Sequence, residues 1–344
     1  MKSISFAAYA LIMIVMGSCT LYRDFPIEVL KTQEVVLPQR PVTLGLLYRN
    51  FKFPFDTLEH YYDNNGKLSH DKRNGNLNID SLVVTSCLGG FASAILKQQD
   101  SLKVIHYPYE ILPREEDSRL RLLPLQQVRK LAFTAKIDYL ITLETLTYFF
   151  KQYKREDGAF EQACVVGAIW GIYDGETGEI AYRKSMSDTI YWNNSTKEKG
   201  SKAFPPRVPS LLMASSIFGE NFAKKFQPEW ITVRRSLIIP PVQDFKDAAD
   251  LADQNNWGSA SGLWMEYTPE RYGRLAASAC YNLAVASELQ DQLDIALEWI
   301  SKAIAHSSNY KQSEEYLMSM DYKKLLVSRV NNIERSEKRK TELK

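Results

Sequence analysis

The sequence predicts an α/β (or α+β) domain with a mixed sheet, followed by an all-α helical domain. Two observations carry that expectation. From Pro41 to about Pro240, short apolar runs of strand length alternate with longer amphipathic runs of helical length. Beyond Pro240-Pro241 no strand pattern remains, and the apolar residues recur only at helical spacing.

Each element follows in order. "VTLGLLYRN" (42–50) is a continuous apolar run after Pro41, as a buried strand requires. A polar, Asn/Gly-rich loop runs from about Asp56 to Asn78, and Asp80 is placed to cap a helix through "SLVVTSCLGGFASAILKQQ". "LKVIHYP" (102–108) reads as a strand, "PLQQVRKLAFTAK" (124–136) as a helix with proline at its start, and "IDYLITLETLTYFF" (137–150) as a long strand. The segment 163–192 reads as a hairpin turning at Asp174–Gly178. A helix from about Val208 to Phe226 and a strand "WITVRRSLII" (230–239) complete the first half.

The chain has 344 residues, long enough for two domains, with 43 Lys+Arg against 41 Asp+Glu. That balance suggests no nucleic-acid partner. Residues 1–18 carry one basic residue, Lys2, then an apolar core from about Ile4 to Met16 that ends in Gly17-Ser18. The run is shorter than the roughly 20 apolar residues of a membrane span and has the layout of a signal peptide. Gly17-Ser18-Cys19, with Met16 before it, resembles the lipobox of bacterial lipoproteins. The resemblance implies cleavage before Cys19 and acylation of that residue, hence a membrane partner through a lipid anchor. Thr20 stands where an aspartate would imply retention in the inner membrane, so the expected location is the outer membrane, on its periplasmic face. The expected layout is a signal peptide (1–18), a tether (19–40), the α/β domain (41–240), helical repeats (241–330) and a basic tail (331–344).

Within the helical half, "ACYNLAVASELQDQLDIALEWISKAIAHSSN" (279–309) sets Leu283, Ala284, Ala296 and Ala303 where a tetratricopeptide-like repeat needs one apolar and three small residues. Sliding back 36 residues aligns Ala260 with Ala296 and Ala248 with Ala284. The segment 247–267 therefore reads as a degenerate first copy, and a helix from Lys311 to Val327, with Tyr316, Leu317, Met320 and Leu325, as its cap. In this register Ser278, Tyr281, Val285 and Glu288 face a concave groove, with Tyr281 as the anchor for a partner.

No catalytic residues are assigned. The sequence lacks a Gly-x-Ser-x-Gly elbow, a phosphate-binding glycine loop and a paired Cys/His nucleophile. No cofactor or metal is expected. His60, Asp63, His70 and Asp71 share one loop without zinc-site spacing, and in "DNNGKLSHD" (63–71) the glycine sits at the wrong position for a calcium loop. Asp-Ser/Thr-apolar triplets at Thr57, Ser81, Ser101 and Thr189 resemble an O-glycosylation site of Gram-negative gut anaerobes, and Thr57 is the candidate among them.

The lipobox, the segment "IDYLITLETL" and the repeat "YNLAVASELQDQLDIALEWISKA" together resemble an uncharacterised lipoprotein family of Gram-negative gut bacteria, which combines a domain of unknown function with tetratricopeptide helices. The first half alone is similar to the amino-terminal α/β domains of curli-secretion lipoproteins and of the Tol translocation protein. Together these imply a non-enzymatic lipoprotein of the cell envelope that binds an envelope protein or peptide or assists assembly. Two alternatives remain at this stage. One is an envelope hydrolase with a carboxylate pair assembled by the fold. The other is a subunit of a curli-type pore, using the 161–192 hairpin.

Overall fold

The computed structural model describes residues 20–38, 40–54, 60–62, 67–70, 79–98, 101–154, 160–194 and 204–342. They form two units: Gln33–Gln227 in one, and the residues up to Thr32 together with Pro228–Arg339 in the other. The expected α/β half and helical half are both present. The seam falls ahead of Pro240-Pro241, because the strand expected to end the first unit belongs to the second.

The α/β unit is built on a mixed sheet. Its main path runs β10 (Ile180–Asn194), β9 (Phe160–Asp174), β8 (Tyr139–Lys154), β2 (Val42–Tyr48) and β6 (Leu102–His106), and the pair β4 (His60–Tyr62) and β5 (Leu68–His70) joins β8. β2 lies parallel to both β6 and β8, whereas β8, β9 and β10 pair antiparallel. The short strands β3 (Phe51–Lys52) and β7 (Glu115–Glu116) pair parallel beside this sheet. The hairpin turn closes at the expected residues: Asp174 accepts from the Glu176 and Thr177 N–H groups, and Gly178 takes φ +79°, which favours glycine.

Helices α1 (Ile79–Leu96) and α3 (Arg207–Ala223) cover one face of this sheet. Phe91, Trp170, Phe218 and Phe222 meet there, with the Trp170 and Phe222 rings stacked at 4.2 Å. Helix α2 (Leu125–Ala135) packs on the opposite face through Val128 and Ala132 against Leu47, Leu140 and Tyr173. By length and hydropathy α1 would suffice to cross a membrane, but Val83, Cys87 and Phe91 are fully buried in this core. Asp80 lies one residue inside α1 instead of capping it, and its carboxylate takes Lys52 at 2.7 Å and the Tyr148 hydroxyl at 2.5 Å.

α1 and α3 touch backbone to backbone. A Cβ on Gly90 would run into the Ser216 carbonyl, and one on Gly219 into the Cys87 carbonyl, whereas a Cβ on Gly89 would meet nothing. Alanine inside a helix ordinarily gains up to about 1 kcal/mol over glycine. Here the obstacle is main chain and cannot swing aside, so the sign reverses at two of the three sites. Gly219→Ala is expected to cost about 1–3 kcal/mol by overpacking, while Gly89→Ala leaves stability unchanged or raises it. Urea midpoints of the two variants decide the point; equal midpoints would mean the helices do not meet this closely.

The second unit combines a two-stranded antiparallel ribbon with helices. β1 (Leu21–Lys31) pairs along its whole length with β11 (Glu229–Ile239). The expected tether over 19–40 therefore contains a strand. Its alternation of buried Phe25, Ile27 and Val29 with outward-facing neighbours marks it, and Pro26 is tolerated because the ribbon leaves edges open. Helices α4 (Gln243–Asp253), α5 (Trp257–Met265), α6 (Arg274–Leu289), α7 (Leu293–Ser307) and α8 (Glu314–Glu342) follow. Ala248, Ala260, Ala284, Ala296 and Ala303 are all fully buried in the core these helices share.

The closing helix is longer than expected and presents a different face. Leu317 and Leu325 are exposed, and the buried positions include Glu315, Ser319, Tyr322, Leu326 and Ser336. Counting apolar residues misplaces this face, because its polar members have partners. Arg274 pairs with Glu315, Ser319 donates to the Glu315 carbonyl, and Tyr322 donates to Glu288.

Candidate functional sites

The chain reverses its direction of winding around β2. It passes from β2 to β6 through α1 on one face, then back across β2 to β8 through α2 on the other face. In α/β sheets, the crevice at the carboxyl ends of strands beside such a reversal is the usual place for a ligand. Here that place holds a buried polar cluster. Arg49 follows directly on β2, and Glu144 sits at an irregularity in the β8–β9 register between Leu143 and Thr145. A bulge turns a side chain out of the regular alternation, and both residues are buried.

Both carboxylate oxygens of Glu144 have partners. Oε1 takes the Thr142 hydroxyl at 2.8 Å and the Tyr173 hydroxyl at 2.7 Å, and Oε2 takes Arg49 Nη1 at 2.7 Å. Gly171 makes the room: a Cβ there would lie 2.5 Å from Thr142 Oγ1 and 2.9 Å from Glu144 Oε1. Arg49 also reaches Glu115 at 3.2 Å and donates to the Arg121 carbonyl, and the Leu123 N–H donates to the Tyr173 oxygen. Burial, and then the negative charge of Glu144, push the Tyr173 phenol above its ordinary pKa, which keeps it neutral and donating. The cluster thus ties residues 115–123 down over the strand ends. A fully buried carboxylate held by three donors of its own chain fixes a segment in place.

The four residues expected to line a groove do not line one. Ser278, Tyr281, Val285 and Glu288 are all buried, as is nearly every residue of α6 from Ala276 onward. The reason is the ribbon and α8. Asn282 uses both ends of its amide on one strand residue, accepting from the Ile238 N–H at 2.9 Å and donating to the Ile238 carbonyl at 2.8 Å. Tyr281 packs against Tyr322, with ring centroids 5.3 Å apart. Glu288 binds Arg235 through two contacts of 2.7 and 3.0 Å, Arg329 at 2.6 Å and the Tyr322 hydroxyl at 2.7 Å. Burial raises the pKa of Glu288, but these donors outweigh it and the net shift is downward. Ala284, Ala296 and Ala303 of α6 and α7 are buried, and the side of α6 expected to face a groove is filled.

Among the described residues, a different surface of the α/β unit is open. On β8, β9 and β10, the residues that alternate with the core side chains form cross-strand rows: Thr145, Ile169 and Ser185, then Thr147, Gly167 and Ser187, then Phe149, Val165 and Thr189. Among the described residues α2 covers only the end of this face near Leu140 and Tyr173. Val165 and Tyr191 are exposed on it. β10 is also the last strand on its side of the sheet. There the Thr189 N–H is taken by the Asp188 carboxylate at 2.8 Å rather than by a neighbouring strand.

Cys19 and Thr57 lie outside the described residues, as do Asp63 and Asp71. The β4–β5 pairing sets His60 opposite His70, and among the described residues no group of three or more His, Cys, Asp or Glu stands ready for a metal. The other cysteines, Cys87, Cys164 and Cys280, are free and buried. The hairpin considered for a pore is committed to the core, since Cys164, Val166, Ala168 and Trp170 on β9 are buried with α1 and α3.

Sequence reasoning missed Arg49 and Glu144. The available signal was a lone acidic residue in the apolar run "YLITLETL" and a lone arginine at the end of "LGLLYR". A family model described as Domain of unknown function (DUF8603) matches residues 42–237, and another, Domain of unknown function (DUF6340), matches residues 246–328. No curated protein matches the chain.

Proposed function

We propose that this chain, which belongs to the family of the domain of unknown function DUF8603, is a non-enzymatic lipoprotein of the outer membrane. It is anchored through acylated Cys19 and binds an envelope protein or peptide. The anchor rests on the lipobox residues Met16-Gly17-Ser18-Cys19 after a short apolar run. The observation that supports binding over catalysis is the contrast between the two kinds of surface described above. The buried carboxylates Glu144 and Glu288 are held by three and four hydrogen bonds, respectively, from side chains that fix segments of this chain. The face of β8–β10 instead offers exposed Val165 and Tyr191 beside a terminal strand, an arrangement suited to an extended peptide. The helical pairs α4/α5 and α6/α7 are read as two tetratricopeptide-like copies whose inner side is filled by this chain's own ribbon.

Two experiments test the reading. Cys19→Ala is expected to abolish incorporation of an alkyne fatty acid and to leave the precursor uncleaved; equal labelling of variant and parent would remove the anchor. A photo-crosslinking amino acid at position 191 is expected to give a discrete adduct in intact cells. The same group at Phe133, exposed on α2, serves as the reference. Identical adduct patterns from both positions would discard the sheet face as the binding surface.

A further inference from the structure

The N-terminal strand leaves almost no slack for an anchor. β1 is paired from its first residue, with Leu21 opposite Ile239 and Tyr22 opposite Ile238. Only Thr20 stands between Cys19 and that strand. Two residues of extended chain reach about 7 Å, so acyl chains on Cys19 would hold the Leu21 end of the ribbon at the headgroup layer.

The surface around that end has the chemistry of a lipid interface. Leu21 is 57% exposed. Burial, and then the nearby Glu314 at the start of α8, push the Tyr22 phenol above its ordinary pKa. Leu317, one turn along that helix, is 54% exposed, and Tyr310, in the turn that leads into it, is 53% exposed. Residues three or four apart on a helix are neighbours. The Ser313 N–H donates to the Tyr310 carbonyl, and the Leu317 N–H to the Ser313 carbonyl, which keeps these residues together. Two tyrosines and two leucines beside an acylated residue match the aromatic and apolar side chains that settle at a membrane–water boundary. The charged groups acting on Tyr22 are Glu314, Glu315 and Arg274, and Lys311 is exposed next to Tyr310, so the patch carries acid as well as base.

We propose that Leu21, Tyr22, Tyr310 and Leu317 form a lipid-facing surface that seats the helical unit on the bilayer, with the β1–β11 ribbon directed away from it. The proposal rests on acylation of Cys19. Trp230, opposite Leu30, is exposed near the other end of the ribbon. At about 3.3 Å per residue it stands roughly 30 Å from Leu21, which makes it the reference position.

The test uses the full acylated chain, purified from membranes and reconstituted into phosphatidylethanolamine/phosphatidylglycerol vesicles. Tyr310→Cys, Leu317→Cys and Trp230→Cys each receive an environment-sensitive fluorophore, since Cys87, Cys164 and Cys280 are buried. Fluorescence at 310 and 317 is expected to shift to the blue and to be lost to nitroxide-bearing lipids, with no change at 230. Unquenched labels at 310 and 317 on a chain that has taken up alkyne fatty acid would overturn the seated surface and leave the lipoprotein reading intact. A chain that takes up no fatty acid would overturn both. Quenching at all three positions would also overturn the proposal, because the ribbon would then lie along the membrane.

Discussion

Glu288→Ala is expected to destabilise the helical unit by about 3–5 kcal/mol, the range for removing one partner of a buried ion cluster. The side chain is fully enclosed, and it is the shared acceptor for Arg235 from β11, Arg329 from α8 and the Tyr322 hydroxyl. Without it two guanidinium groups face each other in the core. Among the described residues, only Arg329 keeps a carboxylate, the exposed Asp291 at 3.3 Å. Because Glu288 joins a strand and two helices, the loss is expected as one cooperative drop in the urea midpoint. The double variant Glu288→Ala/Arg329→Ala should lose less than the sum of its singles, as residues in one network do. Additive losses would mean the cluster does not work as a unit.

The same cluster sets a pH dependence. The folded pKa of Glu288 lies below its unfolded value, so its contribution is complete above the unfolded glutamate pKa of about 4.3. It fades as pH falls through the folded value. Glu34 in the α/β unit behaves alike. Burial raises its pKa, but Lys184, Lys225 and Tyr182 outweigh this and hold it at about 2. Both units should therefore keep their stability down to mildly acidic pH and lose it below the ordinary carboxylate range.

The longer strands and the helices of the α/β unit were legible from their periodicity and proline or glycine punctuation, whereas β4 and β5 lie inside the span 56–78 expected as a loop. β1 was read as a tether because Pro26 interrupts it, although the Phe25-Ile27-Val29 alternation was visible. The groove failed for a different reason. A repeat register places small residues where two helices cross, and Ala284, Ala296 and Ala303 are indeed buried. It does not reveal what covers the remaining side of the helix. Ser278 and Glu288, expected to face the groove, are polar, as is their neighbour Asn282. In the fold they are buried, with Asn282 and Glu288 bonded to a strand more than 40 residues away. Polar residues say that a partner is needed, not whether it is water, another molecule or the chain itself.

Glu144→Ala in the α/β unit is expected to cost about 3–5 kcal/mol as well, by leaving Arg49 buried with its nearest carboxylate gone. Glu115 cannot replace it, since that side chain is half exposed and screened by solvent. Arg49 Nε already has no partner among the described residues, so the guanidinium has no reserve of acceptors. Glu144→Gln separates charge from shape. It keeps a carbonyl oxygen for one donor but turns an amide toward either Arg49 or the two hydroxyls, so a loss close to that of alanine is expected. The connection over the strand ends should loosen in step, because Arg121 and Leu123 are held through Arg49 and Tyr173. Hydrogen exchange would show this as faster exchange of the Leu123 amide, with the amides of α3 unaffected. If Glu144→Gln is as stable as the parent and Leu123 stays protected, the cluster is not what holds this segment. The same crevice would then be free to serve as a binding site of the kind its position in the sheet allows.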